Sequence, residues 1–248
     1  GLFMLITFFA NLGALPTDIM ESRNIVTGRE MVSDGNWLVP TMNGELRLEK
    51  PPLPTWIAGA VECVAPGSLT AQRVPAALMG CLWTVCLLLL ARYIARRDDY
   101  AMAATMVFLT CYNLILMGRS ATWDIYCHAF MMAAIYHLTR ALFEDRHSLR
   151  RFALAGTLMG LSFLSKGPVA FYALLLPYLV ALTALRRPRM AGKWGGVALL
   201  VLVMTAIGAW WYVYLLKLHP IEASQVFHKE TGSWADHNTR PWYYYWRF

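Results

Sequence analysis

Apolar residues fill seven windows along the chain, and short polar connections separate most of them. A helix needs about 20 residues to cross roughly 30 Å of hydrocarbon, and window 194–216 has that length without a charged residue. The pattern predicts an all-α, polytopic membrane protein with about seven transmembrane helices. Window 152–165 is short, so we expect its neighbours to bury it or the next helix to pair tightly with it. The windows are 2–15, 74–91, 101–118, 125–139, 152–165, 168–185 and 194–216.

Composition agrees with this prediction, and the distribution of charge gives an orientation. Hydrophobic residues make up 58% of the 248 residues and charged residues 15%, an apolar share above that of soluble domains. The net charge of +7 comes from basic residues in alternate connections, which the positive-inside rule assigns to the cytoplasm. We therefore expect a topology signal and no nucleic-acid partner. The basic connections contain Arg92, Arg96, Arg97, Arg140, Arg146, Arg150, Arg151, Arg186, Arg187, Arg189 and Lys193.

The same rule predicts that the first polar loop, residues 17–68, lies on the outer face of the cell inner (plasma) membrane. The turns near Asp124 and Lys166 and the segment after residue 216 should share that face. We interpret residues 1–248 as a single transmembrane domain whose first helix is truncated, because the first window lacks the basic flank and cleavage pattern of a signal peptide. We also expect further C-terminal helices and a C-terminal domain.

The first loop opens with a predicted helix. Asp18 and Glu21 have the spacing of a capping box, and Gly35 is placed to end a helix of about sixteen residues. Apolar and charged residues alternate within it, which favours an amphipathic helix along the membrane surface. Asp18 and Glu21 either cap this helix or take part in chemistry, and the sequence leaves both readings open.

A proline-rich segment follows, with the sequence RLEKPPLPTW. Its prolines hold the backbone extended and forbid a helix through Lys50, so Glu49 and Lys50 lie on a rigid strut. Such a strut suits the aiming of a cation at an anionic group; the alternative is a turn with solvated charges. Residues 56–64 are apolar but too short to span, and they predict a second surface helix.

Later positions on the same face add more charge. Asp124 begins an apolar helix, where ionisable residues are costly and usually functional. His128 lies one turn later, where a hydrogen-bonded histidine is favoured over a metal ligand. Lys166 either extends to the headgroups or binds phosphate, and His237 and Arg240 precede an aromatic membrane anchor. Carboxylates can accept a hydroxyl proton and cations can stabilise a departing phosphate, so this combination suits group transfer from a lipid phosphate.

Several motifs together resemble the GT-C glycosyltransferases of the protein O-mannosyltransferase and lipid A aminoarabinose transferase kind. They are DIMESRN, GNWLVP and LEKPPL in the first loop, Asp124, FLSKG, and HNTRPWYYY near the end. The resemblance implies a polyprenyl-phosphate sugar donor and an acidic base in the first loop. It also implies that Arg23 and Lys50 are substrate-binding residues, with Lys50 on the donor phosphate, and that Asp124 is the second acidic position.

The resemblance has one departure and one implied metal ligand. Family members carry an adjacent Asp-Glu pair before the arginine, and here Met20 stands in place of the first acid. Either Asp18 or Glu21 then takes its role. Glu49 matches a position that resembles a metal ligand in the aminoarabinose transferases, which implies a divalent metal ion whose histidine ligand would lie beyond Phe248. No nucleotide or organic cofactor is expected.

These observations predict an integral-membrane glycosyltransferase that moves a sugar from a polyprenyl-phosphate donor to a lipid A-like lipid or a protein acceptor. The alternative is a transporter or flippase of lipid-linked sugars, although no internal repeat is visible and the charges lie at one surface. The predicted catalytic residues are Asp18, Glu21 and Asp124. The predicted substrate-binding residues are Arg23, Lys50, Lys166, His237 and Arg240, and Glu49 is the predicted metal ligand.

Overall fold

The computed structural model describes residues 1–236 and 243, and within them the regular elements are helices and one short hairpin. The helices are α1 (Leu2–Phe9), α2 (Ile19–Asp34), α3 (Leu53–Val64), α4 (Leu69–Ala95), α5 (Asp98–Leu109), α6 (Tyr112–Gly118), α7 (Trp123–Phe143), α8 (Ser148–Lys166), α9 (Leu176–Leu185), α10 (Trp194–Leu218) and α11 (Pro220–Asp236). A π-helical turn, Phe171–Leu175, precedes α9. Strands β1 (Thr41–Met42) and β2 (Glu45–Leu46) form an antiparallel hairpin.

Helix α8 lies between α7 and α10 at the centre of the bundle. Its glycines allow α10 to approach closely: a Cβ on Gly156 would stand 2.5 Å from the carbonyl oxygen of Leu200, and one on Gly160 would stand 2.7 Å from the Cβ of Ile207. Small residues at helix interfaces are common in membrane bundles for this reason. The expectation that neighbouring helices bury window 152–165 is confirmed.

Two helices in the described part of the chain are long and apolar enough to cross a membrane by themselves, α4 and α10. Helices α5 and α6 satisfy the same criterion as a pair, but the chain bends by 70° between them. Window 101–118, which predicts one helix, is therefore broken at Thr110 and Cys111. Among the described residues, length and apolar composition alone thus identify two or three of the roughly seven transmembrane helices that the sequence predicts.

Helix α2 has the predicted length and caps. Asp18 accepts a hydrogen bond of 2.7 Å from the backbone N–H of Glu21, and Gly35 ends the sixteen-residue helix with φ of +74°. Gly28 allows close packing on α3, because a Cβ there would stand 2.9 Å from the backbone nitrogen of Gly59. The face that α2 buries is largely polar, however, whereas Ile19 is 70% exposed. The alternation of apolar and charged residues did not predict this polar face.

The segment between α2 and α3 contains a hairpin that the sequence analysis did not predict. Asn43 and Gly44 form its turn with φ of +55° and +76°, the left-handed conformation that two-residue hairpin turns require. Glu30 accepts hydrogen bonds from both of their backbone N–H groups. The strut follows the hairpin, and α3 begins at Leu53 rather than at residue 56. The hairpin therefore ties the start of the strut to α2.

The basic connections meet at one end of the bundle, as their alternation predicts. Lys193, before α10, lies 2.9 Å from the carbonyl oxygen of Glu144 and 2.7 Å from the carboxylate of Asp145, both in the α7–α8 connection. Hydrogen bonds from Arg140 and Arg151 lower the pKa of Glu144 to about 2. The polar residues of the first loop contact the opposite ends of α4, α7 and α8, which places the candidate site at one end of the fold.

Candidate active site

A buried ion pair joins α2 to α4. The Glu21 carboxylate receives two hydrogen bonds of 2.7 Å from the Arg73 guanidinium, and each side chain is 1% exposed. Arg73 also donates to the carbonyl oxygens of Leu12 and Leu15 at 2.9 Å. A bidentate arginine–carboxylate pair has fixed geometry, so it holds the start of the first loop on the membrane helix.

The first loop also fixes the turn before α7. Glu21 accepts a hydrogen bond of 2.8 Å from the backbone N–H of Ala121, and Asn24 donates one of 2.8 Å to the carbonyl oxygen of the same residue. Thr55 in α3 donates to the Asn24 side chain at 2.8 Å. Both backbone polar groups of Ala121 are thus held by α2, three residues before Asp124. The first loop thereby sets the position of the second predicted acid.

A cavity of about 320 Å³, which we call the lysine cavity, opens between the strut, the α8 end and helices α10 and α11. It contains Glu49, Lys50 and Lys166, three residues that the sequence analysis singled out separately. Their convergence follows from the rigid strut on one side and the tight turn after α8 on the other. The lining residues are Leu48, Glu49, Lys50, Pro51, Phe163, Lys166, Gly167, Pro168, Val169, Tyr212, Phe227 and Glu230.

Each lysine of the cavity pairs with a carboxylate. Lys50 Nζ lies 3.1 Å from Glu230 of α11, and Lys166 forms an ion pair with Asp124. The side chains of both pairs are between 21% and 29% exposed, so they contact solvent only in part. A phosphate that entered the cavity would meet two cations whose present partners are single carboxylates. The cavity is therefore suited to exchange these partners for an anionic ligand.

Glu49 lies beside a second group of cations. Arg47 is 9% exposed and its guanidinium lies 5.6 Å from the ring centre of Trp123. Burial lowers the pKa of Arg47, the charge of Glu49 opposes this shift, and the charge of Arg23 adds to it. Arg23 itself is exposed. Sequence reasoning missed Arg47, although its place next to the LEKPP motif was a signal that could have found it.

The remaining predicted residues fall into three groups. Asp18 is exposed and caps α2. His128 Nδ1 lies 2.8 Å from the carbonyl oxygen of Asp124, and the ring stacks on Trp83 at 5.2 Å, which confirms a hydrogen-bonded histidine. His237 and Arg240 lie outside the described residues. Sequence reasoning also missed Glu230, because nothing in the local sequence marks it as a partner of Lys50.

We expect the effects of substitutions at Asp124 and Lys166 on the free energy of unfolding to be coupled, because the two side chains form an ion pair. Asp124→Asn or Lys166→Met each leaves a partly buried charge without its partner, so the double variant should be less destabilised than the sum of the two. The coupling should be on the order of 1 kcal/mol. Chemical unfolding in detergent of the wild type and the three variants gives this value. Additive effects would show that the contact contributes nothing to stability.

Comparison with known proteins places the chain in a family. The family described as dolichyl-phosphate-mannose-protein mannosyltransferase matches residues 49–211, well over half of the chain. The chain belongs to this family. The match begins at Glu49 and includes Lys50, Asp124 and Lys166, so most of the lysine cavity of this family member lies within it.

Two relatives illustrate the extent of the similarity. An uncharacterized protein of Aquifex aeolicus is 29% identical over 233 residues, which cover 92% of this chain and 45% of that protein. The undecaprenyl phosphate-alpha-4-amino-4-deoxy-L-arabinose arabinosyl transferase 1 of Sodalis glossinidius is 26% identical over 256 residues, with 98% and 45% covered. The chain thus spans a little under half the length of the curated relatives it matches.

Solved structures share the fold. The crystal structure of ArnT from Cupriavidus metallidurans bound to undecaprenyl phosphate superposes with a TM-score of 0.79 at 22% identity, covering 94% of this chain and 44% of that one. The apo state gives 0.75 at 22% identity, covering 88% and 42%. The predicted all-α, polytopic GT-C architecture is confirmed, and the chain is an integral membrane protein.

Proposed function

We propose that this chain forms the donor-binding part of a membrane glycosyltransferase that takes a sugar from a polyprenyl phosphate. The observation that carries the proposal is the lysine cavity, where Lys50 and Lys166 converge between the first loop and the ends of the membrane helices. Family membership supports it, as does the fold shared with the crystal structure of ArnT bound to undecaprenyl phosphate. The acceptor we propose is a lipid A-like lipid or a protein on the outer face of the cytoplasmic membrane.

The chemistry of the cavity suits an inverting displacement. An acceptor hydroxyl attacks the anomeric carbon, the bond from that carbon to the phosphate oxygen breaks, and a carboxylate takes the hydroxyl proton. Lys50 and Lys166 stabilise the charge that develops on the departing phosphate, and His237, Arg240 and Arg23 are further cations for that role. Asp124, bound to Lys166, positions the acceptor or the donor sugar.

The sequence leaves Asp18 and Glu21 as alternative bases, and the contacts of the two side chains distinguish them. All the strong contacts of Glu21 are structural, because Arg73 and the Ala121 N–H occupy its buried carboxylate. Asp18 is exposed and holds the helix N-terminus through one oxygen. Asp18 is therefore the freer of the two, and a role for Glu21 in proton transfer would require the ion pair to open.

The described residues around Glu49 do not provide the further ligands that the implied metal ion would need. No group of three histidine, cysteine, aspartate or glutamate side chains within the described residues could hold a metal ion. Lys50 and Lys166 line the cavity together with Glu49, and its other acid, Glu230, is paired with Lys50. The two lysines oppose the binding of another cation. The described residues therefore do not fit a divalent metal site at Glu49, and no step of the proposed reaction uses one.

A transporter of lipid-linked sugars is the second candidate, but the charged pairs are in the wrong place for it. Transporter sites lie near the bilayer midplane, at broken helices in repeated halves. Here Lys166 is the last residue of α8 and Asp124 is in the first turn of α7. The Lys166–Asp124 ion pair therefore lies at the ends of two helices.

Transfer of labelled sugar tests the proposal directly. The full-length protein in proteoliposomes should move label from at least one polyprenyl-phosphate sugar of a panel to lipid or protein acceptors. Heat-inactivated protein is the control. If no donor is used and intact lipid-linked sugar instead crosses the vesicle membrane, the transporter interpretation replaces this one.

A further inference from the structure

A second cavity lies at the basic end of the bundle and takes no part in the proposed transfer. Its volume is about 290 Å³, and it opens between the ends of α4, α7 and α9. We call it the arginine cavity, because Arg96 and Arg186 both line it. Neither guanidinium forms a hydrogen bond or an ion pair with another residue that the structure describes. Two cations that the described chain does not neutralise therefore share one cavity.

The acids near this end are paired with other cations. The α4–α5 and α7–α8 junctions contain four acids, and each forms an ion pair with an arginine or lysine that does not line the cavity. The described lining of the cavity contains no acid either. The carboxylates of the two junctions are therefore not available to Arg96 and Arg186. The pairs are Arg92–Asp98, Arg97–Asp99, Arg140–Glu144, Arg151–Glu144 and Lys193–Asp145.

Arg96 and Arg186 directly follow the C-terminal ends of α4 and α9. A helix C-terminus carries about half a negative elementary charge, which opposes an anion, whereas each guanidinium carries a full positive charge. The sum of these charges is therefore positive. Arg96 also has a left-handed backbone, with φ of +53°, which glycine or asparagine adopts at lower cost. The turn alone thus does not account for an arginine at this position.

The charged and apolar parts of the cavity lie at different depths. Tyr178 is in the first turn of α9, about 12 Å along the helix from Arg186, and its hydroxyl is bound to Thr139 at 2.7 Å. Every α9 side chain that lines the cavity between Tyr178 and Arg186 is apolar. The cavity thus presents cations at the helix ends and apolar surface further into the bundle. A phospholipid presents its phosphate and its acyl chains in the same order.

We propose that the arginine cavity binds an anionic phospholipid from the membrane leaflet at this end, with its phosphate on Arg96 and Arg186 and an acyl chain beside α9. Basic pockets between transmembrane helices suit anionic headgroups, because the cations attract the phosphate and the helices supply apolar walls. A zwitterionic phospholipid also carries an ammonium group, for which the described lining offers no carboxylate. The site should therefore prefer phosphatidylglycerol to phosphatidylcholine.

Native mass spectrometry of the full-length protein in detergent tests the site, with dioleoyl phosphatidylglycerol and dioleoyl phosphatidylcholine as the probes. The wild type should bind phosphatidylglycerol more tightly than phosphatidylcholine. In Arg96→Gln/Arg186→Gln, the dissociation constant of phosphatidylglycerol should rise by about 25-fold, which is about 5-fold for each arginine, and the preference should disappear. Both arginine side chains are exposed, so the substitutions should not disturb the fold.

Three further variants locate the bound lipid. Arg150→Gln/Arg189→Gln changes the net charge by the same amount at exposed arginines outside the cavity, and it should bind phosphatidylglycerol as the wild type does. Ala181→Trp keeps both arginines and fills the cavity, so it should weaken the binding of both lipids. Lys50→Ala, in the lysine cavity, should leave the binding of phosphatidylglycerol unchanged.

Other outcomes would overturn the proposal. If the wild type binds the two lipids equally, the cavity does not recognise an anionic headgroup. If the two double arginine variants lose the same affinity, the attraction comes from the overall charge of the protein and not from this cavity. If Lys50→Ala loses the binding of phosphatidylglycerol, the phospholipid occupies the lysine cavity instead. None of these measurements depends on sugar transfer, so the arginine cavity is tested independently of the proposed function.

Discussion

Replacing Arg73 with methionine should lower the free energy of unfolding by about 3–5 kcal/mol. The change leaves the Glu21 carboxylate, 1% exposed, without the two hydrogen bonds that compensate its burial. It also removes the donor to the carbonyl oxygens of Leu12 and Leu15. Denaturant unfolding of the full-length protein in detergent measures the loss.

Two further variants show whether the effect comes from the buried charge. The double variant Arg73→Met/Glu21→Gln should recover part of the lost stability, because no isolated charge remains buried. Arg92→Met breaks an ion pair to Asp98 in which both side chains are more than 60% exposed, so it should cost at most about 1 kcal/mol. If Arg73→Met and Arg92→Met lower the free energy of unfolding equally, burial of the Glu21–Arg73 pair does not increase its contribution to stability.

Local sequence predicted the elements whose signals are themselves local. Asp18 and Gly35 bound α2 because a side-chain cap and a left-handed glycine act within one turn of the helix ends. The Asn43-Gly44 turn has an equally local signal, because an Asn-Gly dipeptide favours a two-residue hairpin turn. The break between α5 and α6 has none, since neither proline nor glycine stands at Thr110 or Cys111. Local sequence therefore does not predict that bend.

The candidate site shows the same division between local and long-range information. Charge alternation predicted one face for Lys50, Lys166 and Asp124, and the structure joins the latter two in an ion pair and places both lysines on one cavity. The role of Glu21 could not be read from the first loop, because its partner Arg73 is 52 positions away in the sequence. The same holds for Lys50 and Glu230, which are 180 positions apart. Such pairs exist only once the helices pack.

Replacing Lys50 with alanine should weaken the binding of undecaprenyl phosphate by about 10- to 100-fold, the value of one charge-assisted hydrogen bond. Lys166 remains in the cavity, so binding should persist at a reduced level rather than vanish. Sugar transfer should fall with binding, whereas membrane insertion should be unaffected. Isothermal titration in detergent gives the dissociation constant, and Lys229→Ala, an exposed lysine beside Glu230 on α11, is the matched control.

Glu230 also affects phosphate binding in Lys50→Ala, and a second substitution can separate its effect from that of Lys50. Without Lys50 its carboxylate stays at the cavity and repels a phosphate, so part of the loss in Lys50→Ala comes from that repulsion. The double variant Lys50→Ala/Glu230→Gln removes the repulsion and should bind undecaprenyl phosphate more tightly than Lys50→Ala alone. It should still bind more weakly than Glu230→Gln, and that difference is the contribution of the lysine to phosphate binding. If the dissociation constants of Glu230→Gln and the double variant agree, Lys50 does not contribute to phosphate binding, and the role given to this lysine is wrong.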